Sequence, residues 1–328
     1  MPDIARVRAA AARLAPAVRR TPLLESPFLN EIAGRRVLVK AECLQITGSF
    51  KFRGAWSALT ALDETARRRG VIAYSSGNHA QGVAYAAKRL GVPALIVMPE
   101  DAPALKLANT RAYGAEVVTY KRPEESREAI GAAIAAERGL TLIKPYDHPE
   151  VIAGQASCGL EIAEQAREAG VAEADVLVCT GGGGLSAGIS LALEAEAPGL
   201  RVRPVEPEGW DDWTESLAAG ERRPARADRA SICDAIVTPA PGELTFPILS
   251  RLGGPGLSVA DSDALDAMAA AFDRLKLVLE PGGAVALAAA LFRPEAVAGE
   301  AVIAVATGGN VDRARFAEAL ARPVRGGA

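Results

Sequence analysis

The sequence predicts an α/β fold in which helices cover both faces of parallel sheets. Short apolar runs of strand length alternate along the chain with longer segments of helical periodicity. Strands that are apolar on both sides belong to a sheet buried on both faces, which is the doubly wound arrangement. The 328 residues, of which 49% are apolar, suffice for one large domain or two ordinary domains with full cores.

Each predicted element has a local signal in the sequence. Val, Ile and Leu fill the strands, and Pro, Gly, Ser or Asn follows where a strand ends. The predicted strands are residues 36–40, 70–74, 93–98, 116–120, 174–180, 200–205 and 301–306. The predicted helices are an amphipathic N-terminal segment around Val7 and residues 79–90, 104–113, 125–138, 154–169, 185–194 and 261–275.

Composition excludes several classes of function. The formal net charge is −3, so we expect no basic surface for nucleic acid or for an acidic membrane. No apolar run approaches the roughly 20 residues that span a bilayer. The 4 cysteines lie far apart without C-x-x-C spacing, which is typical of a reducing, cytoplasmic compartment. The 2 histidines are too few for a three-histidine zinc site.

The most informative loop is a run of four glycines. Gly181–Gly184 follows the apolar strand 174–180 and precedes a predicted helix, so bare N–H groups meet a helix N-terminus that favours an anion. This pattern indicates a phosphate-binding loop, and no Lys-Ser/Thr follows it as in a Walker A loop. Two alternatives remain on these residues alone. One is a tight turn without a ligand, and the other is a dinucleotide site, because Gly188 and Glu206 extend the run into a loose match.

A lysine between two phenylalanines narrows the choice. Lys51 lies between Phe50 and Phe52, where desolvation penalises the ammonium and favours a nucleophilic amine. Taken alone, Lys51 fits a side chain that extends from a helix to water. Together with a phosphate-binding loop, the amine suggests an imine with pyridoxal phosphate.

Several separated motifs then point to one enzyme family. They are Gly48-Ser49-Phe50-Lys51-Phe52-Arg53-Gly54-Ala55, Ser75-Ser76-Gly77-Asn78-His79-Ala80-Gln81-Gly82, Val151-Ile152-Ala153-Gly154-Gln155, the four glycines, Glu280-Pro281-Gly282-Gly283-Ala284 and Thr307-Gly308-Gly309-Asn310. With these motifs the chain resembles, along nearly its whole length, the fold-type II pyridoxal-phosphate enzymes of the serine/threonine dehydratase and serine racemase group.

The resemblance implies an architecture and an assembly. It implies two doubly wound parallel-sheet domains like those of the tryptophan synthase β subunit. The large domain, which binds pyridoxal phosphate, comprises residues 1–68 and 148–328, and an inserted small domain of residues 69–147 closes over the substrate. The resemblance further implies a homodimer.

The resemblance also assigns roles to residues. Lys51 holds the cofactor through an imine and then acts as the base at the substrate Cα. The implied cofactor-binding residues are Phe50, Lys51, Asn78, Gly181, Gly182, Gly183, Gly184, Leu185 and Thr307. The implied substrate-binding residues are Ser75, Asn78, His79, Gln155 and Arg127.

Two hydroxyl residues bear on the choice of reaction. The family usually has serine where Thr307 stands, and either hydroxyl can donate to the pyridine nitrogen without protonating it. A neutral pyridine is a weak electron sink, which favours loss of a β-leaving group. The hydroxyl of Ser76, opposite Lys51, could instead return a proton to the other face of Cα and so act catalytically in racemisation. Dehydratases of the group often have alanine there.

The predicted function is deamination of L-threonine or L-serine by β-elimination of water, giving a 2-keto acid and ammonia. Serine racemase and 3-hydroxyaspartate ammonia-lyase remain the alternatives within the family. The segment 206–212 resembles the divalent-cation loop of the family. It implies Glu206, Asp212 and the Trp210 carbonyl as ligands of Mg²⁺ or Ca²⁺.

Overall fold

The computed structural model describes residues 2–75, 77–102, 104–121, 124–323 and 325. Within these residues the strands β1 to β10 are Leu23–Glu25, Arg36–Lys40, Val71–Tyr74, Ala94–Pro99, Glu116–Tyr120, Thr141–Leu142, Ala174–Cys179, Leu200–Pro207, Leu257–Val259 and Ala301–Val305. The helices α1 to α14 are Ile4–Leu14, Pro27–Ala33, Lys51–Thr60, Glu64–Arg69, Asn78–Leu90, Ala104–Ala112, Arg127–Arg138, Pro149–Glu168, Gly184–Glu196, Asp212–Ala219, Thr245–Leu252, Asp261–Leu275, Pro281–Phe292 and Arg313–Leu320.

The described strands form two sheets, and the predicted parallel α/β class is confirmed. The larger sheet has the order β1-β2-β10-β7-β8-β9, in which all neighbours are parallel except β1 and β2. The smaller sheet has the order β5-β4-β3-β6 and is parallel throughout. Because the carboxyl ends of parallel strands lie at one edge of a sheet, each sheet gathers the loops that follow its strands there.

Both faces of the larger sheet are covered by helices, as the continuous apolar strands predict. Along β7, Leu177 faces one hydrophobic core and Val176 and Val178 face the other, in the alternation that a pleated strand requires. Helices α12 and α13 close the first core, and α8, α9 and α11 close the second.

The core of the smaller sheet extends to a helix outside residues 69–147. Ile72 of β3 faces one cluster, while Val71 and Ala73 pack with Phe52 and Leu59 of α3. Packing therefore crosses the expected domain boundary at residue 68, and the division into two domains stays a prediction.

Short edge strands and helix starts differ from the sequence-based expectations. Strands β1, β6 and β9 were not expected, because two or three residues carry no measurable alternation. Helix α8 begins at Pro149, before the expected residue 154, because Pro occupies its first turn and the His148 ring nitrogen accepts from the Glu150 N–H.

Two further properties concern the helices and the thiols. No helix in the described part of the chain combines the length and apolar character needed to cross a membrane. The thiols of Cys43, Cys158, Cys179 and Cys233 are free and buried.

A buried ion cluster holds helix α3 in place. The Arg53 guanidinium donates to both oxygens of Glu42 and to both oxygens of Glu161, at 2.8 Å in each case. The Lys40 ammonium donates to Glu161 at 2.6 Å. Arg53 and Glu42 are fully buried. Two cations and two carboxylates therefore balance in the interior, next to the turn that carries Lys51.

We expect Arg53→Met to destabilise the protein strongly. The substitution leaves the Glu42 carboxylate buried without its cation, so the free energy of unfolding should fall by about 3–5 kcal/mol in urea titrations. The matched control is Arg68→Met, because Arg68 pairs with Glu64 on the surface and both side chains are largely exposed. That control should change stability by about 0.5 kcal/mol or less. Equal effects of the two substitutions would contradict a stabilising role of the cluster.

Candidate active site

One cavity gathers residues that follow the carboxyl ends of strands from both sheets. Tyr74 ends β3, Cys179 ends β7, and Thr307 follows β10. This is the position where parallel α/β sheets bind ligands. The expected site residues that line this cavity are Phe50, Lys51, Ser75, Asn78, His79, Arg127, Gly181, Gly182, Gly183, Gly184, Leu185 and Thr307.

Lys51 presents a buried amine to the cavity. It is the first residue of α3, and its Nζ donates to the Pro145 carbonyl at 2.9 Å and lies 5.0 Å from the centre of the Phe50 ring. Burial lowers the pKa of Lys51 to about 8, although the Glu280 carboxylate acts in the opposite direction. A substantial fraction of this amine is neutral near pH 8, as a nucleophile or a base requires.

The four glycines form a loop at the start of α9. Gly184 is the first residue of that helix, so the N–H groups of Gly184, Leu185 and Ser186 have no acceptor within the helix. Gly183 has a φ of 88°, a left-handed conformation that favours glycine. The loop therefore presents to the cavity a helix N-terminus and N–H donors that the helix itself does not pair, which suits an anionic group.

Asn78 belongs to a chain of side-chain hydrogen bonds. Its Nδ2 donates to Glu280 Oε1, and its Oδ1 accepts from Asn310 Nδ2 at 2.8 Å. Glu280 is fully buried, and burial raises the pKa of its carboxyl while the nearby Lys106 ammonium opposes that rise. The amide of Asn78 is thereby held in one orientation at the start of α5.

His79 is a neutral residue in the cavity wall. Its Nε2 lies 2.8 Å from the Ile143 carbonyl oxygen, so this nitrogen carries the proton and donates it. Burial and then the positive charge of Lys51 lower the pKa of His79 to about 3. The imidazole is therefore neutral at physiological pH, and its Nδ1 retains a lone pair.

Arg127 and Ser75 line the cavity from the smaller sheet. Arg127 begins α7, its guanidinium lies 5.5 Å from the centre of the Tyr74 ring, and its Nε is 2.7 Å from Glu128. The Ser75 hydroxyl accepts from the Gly77 N–H at 3.1 Å. Both positions supply polar groups to the same opening.

Two expected site residues are not among those that line the cavity. Gln155 is buried in α8 and packs against α3, where its Nε2 would lie 2.7 Å from a Cβ added at Gly54. Helix α8 directs Gln155 to this packing interface, and a contact of Gln155 with the substrate stays a prediction. Ser76 lies outside the described residues.

The cavity also contains residues that sequence reasoning missed. Tyr146, Lys106 and Asp234 line it, and Lys106 Nζ lies 3.2 Å from Asp234 and 3.4 Å from Glu280. The Thr238 hydroxyl in its wall is buried without a hydrogen-bond partner among the described residues. Glu280 belongs to a recognised motif, which was a usable signal. Lys106 lies in the predicted helix 104–113, which carries no functional motif, and Tyr146, Asp234 and Thr238 lie outside the predicted elements.

The expected metal ligands lie in the loop after β8. Glu206 accepts from the N–H groups of Trp213 and Thr214 at 2.8 and 2.9 Å, and it is fully buried. The buried Asp212 Oδ2 has no hydrogen-bond partner among the described residues. Burial, with Asp211 and Glu215 adding to it, raises the pKa of Asp212 to about 7.

The protein side chains of this loop offer few ligands to a metal ion. The described residues contain no group of three or more His, Cys, Asp or Glu side chains that could hold an ion. Trp210 contributes its carbonyl at most, since its indole N–H donates to the Arg229 carbonyl at 2.8 Å. Two buried carboxylates, one with an unpaired oxygen, are nevertheless chemically compatible with a divalent cation that keeps several waters.

The cavity fits a phosphorylated aldehyde cofactor. A buried amine of lowered pKa and a loop of free N–H donors line the same space, and the unpartnered Thr238 hydroxyl adds a further donor. The amine of Lys51 would receive an aldehyde and the glycine loop an anion, and the Phe50 ring lies beside the amine.

Comparison with known proteins decides the family. A family model described as "Pyridoxal-phosphate dependent enzyme" matches residues 14–308. The chain belongs to this family. It is a fold-type II enzyme, its cofactor is pyridoxal phosphate, and the dinucleotide interpretation of the glycine loop is wrong.

Relatives with different names cover almost the whole chain. L-threo-3-hydroxyaspartate ammonia-lyase of Saccharomyces cerevisiae is 42% identical over 318 residues, covering 97% of this chain and 96% of that protein. Serine racemase of Schizosaccharomyces pombe is 39% identical and covers 98% of each. A solved structure of threonine deaminase from T.th. is 46% identical, with a TM-score of 0.89 and coverage of 95% of this chain and 99% of that one. The chain is thus a pyridoxal-phosphate enzyme of the family that includes these ammonia-lyases and racemases.

The lowered pKa of Lys51 predicts the pH dependence of cofactor uptake. Only the neutral amine attacks an aldehyde, so the rate at which apoprotein takes up pyridoxal phosphate should rise with pH with a midpoint near 8. Stopped-flow absorbance measures this rate. Nα-acetyl-lysine, measured in parallel, corrects for the titration of the cofactor itself. A midpoint near the ordinary lysine value of 10.5 would contradict the burial of this amine.

Proposed function

We propose that the protein is an ammonia-lyase that removes water from a small β-hydroxy amino acid, giving a 2-keto acid and ammonia. L-Threonine and L-serine are the first substrates to consider. The observation that carries the proposal is the buried amine of Lys51 in one cavity with the glycine loop and Thr307. The likeness to a threonine deaminase of 46% identity supports it.

Lys51 supplies the proton transfer. When bound, pyridoxal phosphate provides an electron sink that stabilises negative charge at the substrate Cα. The Lys51 amine, neutral in part near pH 8, accepts the Cα proton. The Pro145 carbonyl, which accepts from Lys51 Nζ, can orient the amine between its two tasks.

Thr307 favours elimination over other outcomes. Its hydroxyl can donate to a pyridine nitrogen, but it has no proton acidic enough to transfer. The electron sink then stays weak, and departure of the β-hydroxyl competes well with slower fates of the carbanion. Asn78, whose orientation Glu280 and Asn310 fix, is proposed to hydrogen-bond the hydroxyl of the cofactor ring.

Polar groups at the cavity are proposed to bind the substrate carboxylate. Ser75, Asn78 and His79 lie at the start of α5, where a helix N-terminus favours an anion. His79 takes part as a neutral hydrogen-bonding group, because its pKa lies near 3.

A second candidate substrate is L-threo-3-hydroxyaspartate. Arg127 lines the cavity beside the Tyr74 ring. Its Nε pairs with Glu128, and its two terminal nitrogens are proposed to bind a second carboxylate. The 42% identity to an L-threo-3-hydroxyaspartate ammonia-lyase supports this choice. Serine racemisation is a third outcome, which rests on Ser76 in the sequence and on a relative of 39% identity.

Three family features remain part of the proposal. We propose a homodimer, an inserted domain of residues 69–147 that closes over the substrate, and a divalent cation held by Glu206, Asp212 and the Trp210 carbonyl. The unpaired buried oxygen of Asp212 supports the cation.

We expect Lys51→Ala to abolish both colour and turnover. Without the ε-amine the purified protein should lose the visible absorption band of the lysine-bound cofactor. Keto-acid release should fall by about 10³-fold or more, because base and nucleophile are lost together. Lys88→Ala is the matched control, because Lys88 is exposed on α5. A colourless wild-type protein that takes up no added cofactor would contradict the proposal.

The substrate panel of the same assay distinguishes the candidates. Keto-acid release is compared for L-threonine, L-serine and L-threo-3-hydroxyaspartate, and chiral chromatography follows D-serine. The second candidate is favoured if Arg127→Met abolishes keto-acid release from L-threo-3-hydroxyaspartate but retains turnover of L-threonine. If wild type forms D-serine without keto acid, and Ser76→Ala forms no D-serine, the activity is racemisation and not elimination.

The cation proposal predicts stabilisation by Mg²⁺ or Ca²⁺. At about 100 times its Kd, a bound ion adds roughly 2.7 kcal/mol to the free energy of unfolding, measured against an EDTA-treated sample. Asp212→Asn should remove this gain. Asp211→Asn is the matched control, because Asp211 pairs with Arg226 at 2.8 Å, and it should retain the gain. Equal melting with ion and with EDTA would contradict the site.

A further inference from the structure

The carbonyl oxygens of the glycine loop are bonded by side chains that do not line the cavity. The Trp213 indole N–H donates to the Gly181 carbonyl at 2.5 Å. The Thr245 hydroxyl donates to the Gly182 carbonyl at 2.7 Å. Trp213 and Thr245 are both fully buried, and both lie outside the set of cavity-lining residues.

Trp213 also packs directly on the loop. A Cβ added at Gly183 would overlap the Trp213 ring and would lie 2.9 Å from the Thr245 hydroxyl. The side chains therefore form a tight outer wall behind the glycines. On the opposite side of the loop, the ring of Tyr146, which lines the cavity, lies where a Cβ of Gly182 would be.

The position of the Trp213 indole is fixed by hydrogen bonds of the backbone around it. The Trp213 N–H donates to Glu206 at 2.8 Å in the first turn of α10, and the Thr214 N–H and hydroxyl donate to the same carboxylate. The Trp213 ring also packs against Phe246 with centroids 6.1 Å apart. An anchored indole can hold a glycine segment that has no side chains of its own.

The geometry of the peptide unit turns these bonds into a constraint on the donors. In a planar trans peptide the C=O and the following N–H point in opposite directions. A bond from Trp213 to the Gly181 oxygen therefore orients the N–H of Gly182, and a bond from Thr245 to the Gly182 oxygen orients the N–H of Gly183.

We propose that Trp213 and Thr245 are positioning residues that turn the N–H groups of Gly182 and Gly183 toward the cofactor phosphate and so set its affinity. Neither residue touches the cofactor or the substrate in this scheme. The inference rests on the proposed binding of the cofactor phosphate at the glycine loop.

The test compares two ligands that differ by the phosphate alone. Apoprotein of the full chain is titrated with pyridoxal phosphate and with pyridoxal, followed by visible absorbance, for wild type, Trp213→Phe and Thr245→Val. Thr245→Val keeps the side-chain volume and removes only the hydroxyl. It therefore tests the inference even if the tryptophan variant fails to fold. Trp56→Phe is the matched control, because its buried indole donates to the Arg13 carbonyl at 3.0 Å, away from the loop.

Each positioning variant should bind pyridoxal phosphate about tenfold more weakly, as expected for a lost orienting hydrogen bond. Binding of pyridoxal should change by about twofold or less, and Trp56→Phe should match wild type for both ligands. Unequal loss is the signature, since a general loss of stability would weaken both ligands alike. Variants that keep the wild-type ratio of the two affinities would overturn the inference. A wild type that binds both ligands equally would instead refute the phosphate placement itself.

Discussion

The chemistry of this protein depends on burying one amine without a carboxylate beside it. No described acid forms an ion pair with Lys51, whereas the other buried cations of the interior, such as Lys40, Arg53 and Lys106, each have one. The desolvation penalty therefore falls on the protonated form, and the pKa of Lys51 moves to about 8. A solvent-exposed lysine, with a pKa near 10.5, would be almost fully charged at neutral pH and would react with an aldehyde much more slowly.

The surrounding structure prevents Lys51 from escaping its desolvation by turning to water or by pairing with an acid. The ion cluster around Arg53 holds α3 two residues beyond Lys51, so the helix cannot turn the amine to water without breaking buried charge pairs. The Phe50 ring and the Pro145 carbonyl surround the ammonium group with weak partners. The Glu280 carboxylate, which raises the pKa of Lys51, is paired with Lys106, and this pairing weakens its effect on the amine. The lowered pKa of Lys51 thus depends on several residues of the cavity wall.

Much of the fold could be predicted from sequence, because continuous apolar strands leave few alternatives to a covered parallel sheet. The lining of the cavity was predictable where the motifs are contiguous, as at Lys51, Asn78 and the glycine run. It was less so where a position depends on how helices pack, and Gln155 illustrates this. Gln155 belongs to one of the motifs of the resemblance, but α8 directs its side chain to Gly54. Tyr146 comes from a segment without regular structure, so no periodicity could have placed it against Gly182.

Trp213 contacts both the glycine loop and the acidic loop after β8, so a change in the acidic loop can alter the glycine loop. Glu206 accepts the backbone N–H of Trp213, and the indole of the same residue bonds Gly181. A displacement of the Glu206 carboxylate by even a fraction of an ångström must be absorbed by Trp213 or passed to the glycines, since close-packed interiors transmit strain. An ion bound by Glu206 and Asp212 would therefore act on cofactor affinity through packing, without any contact to the reacting atoms.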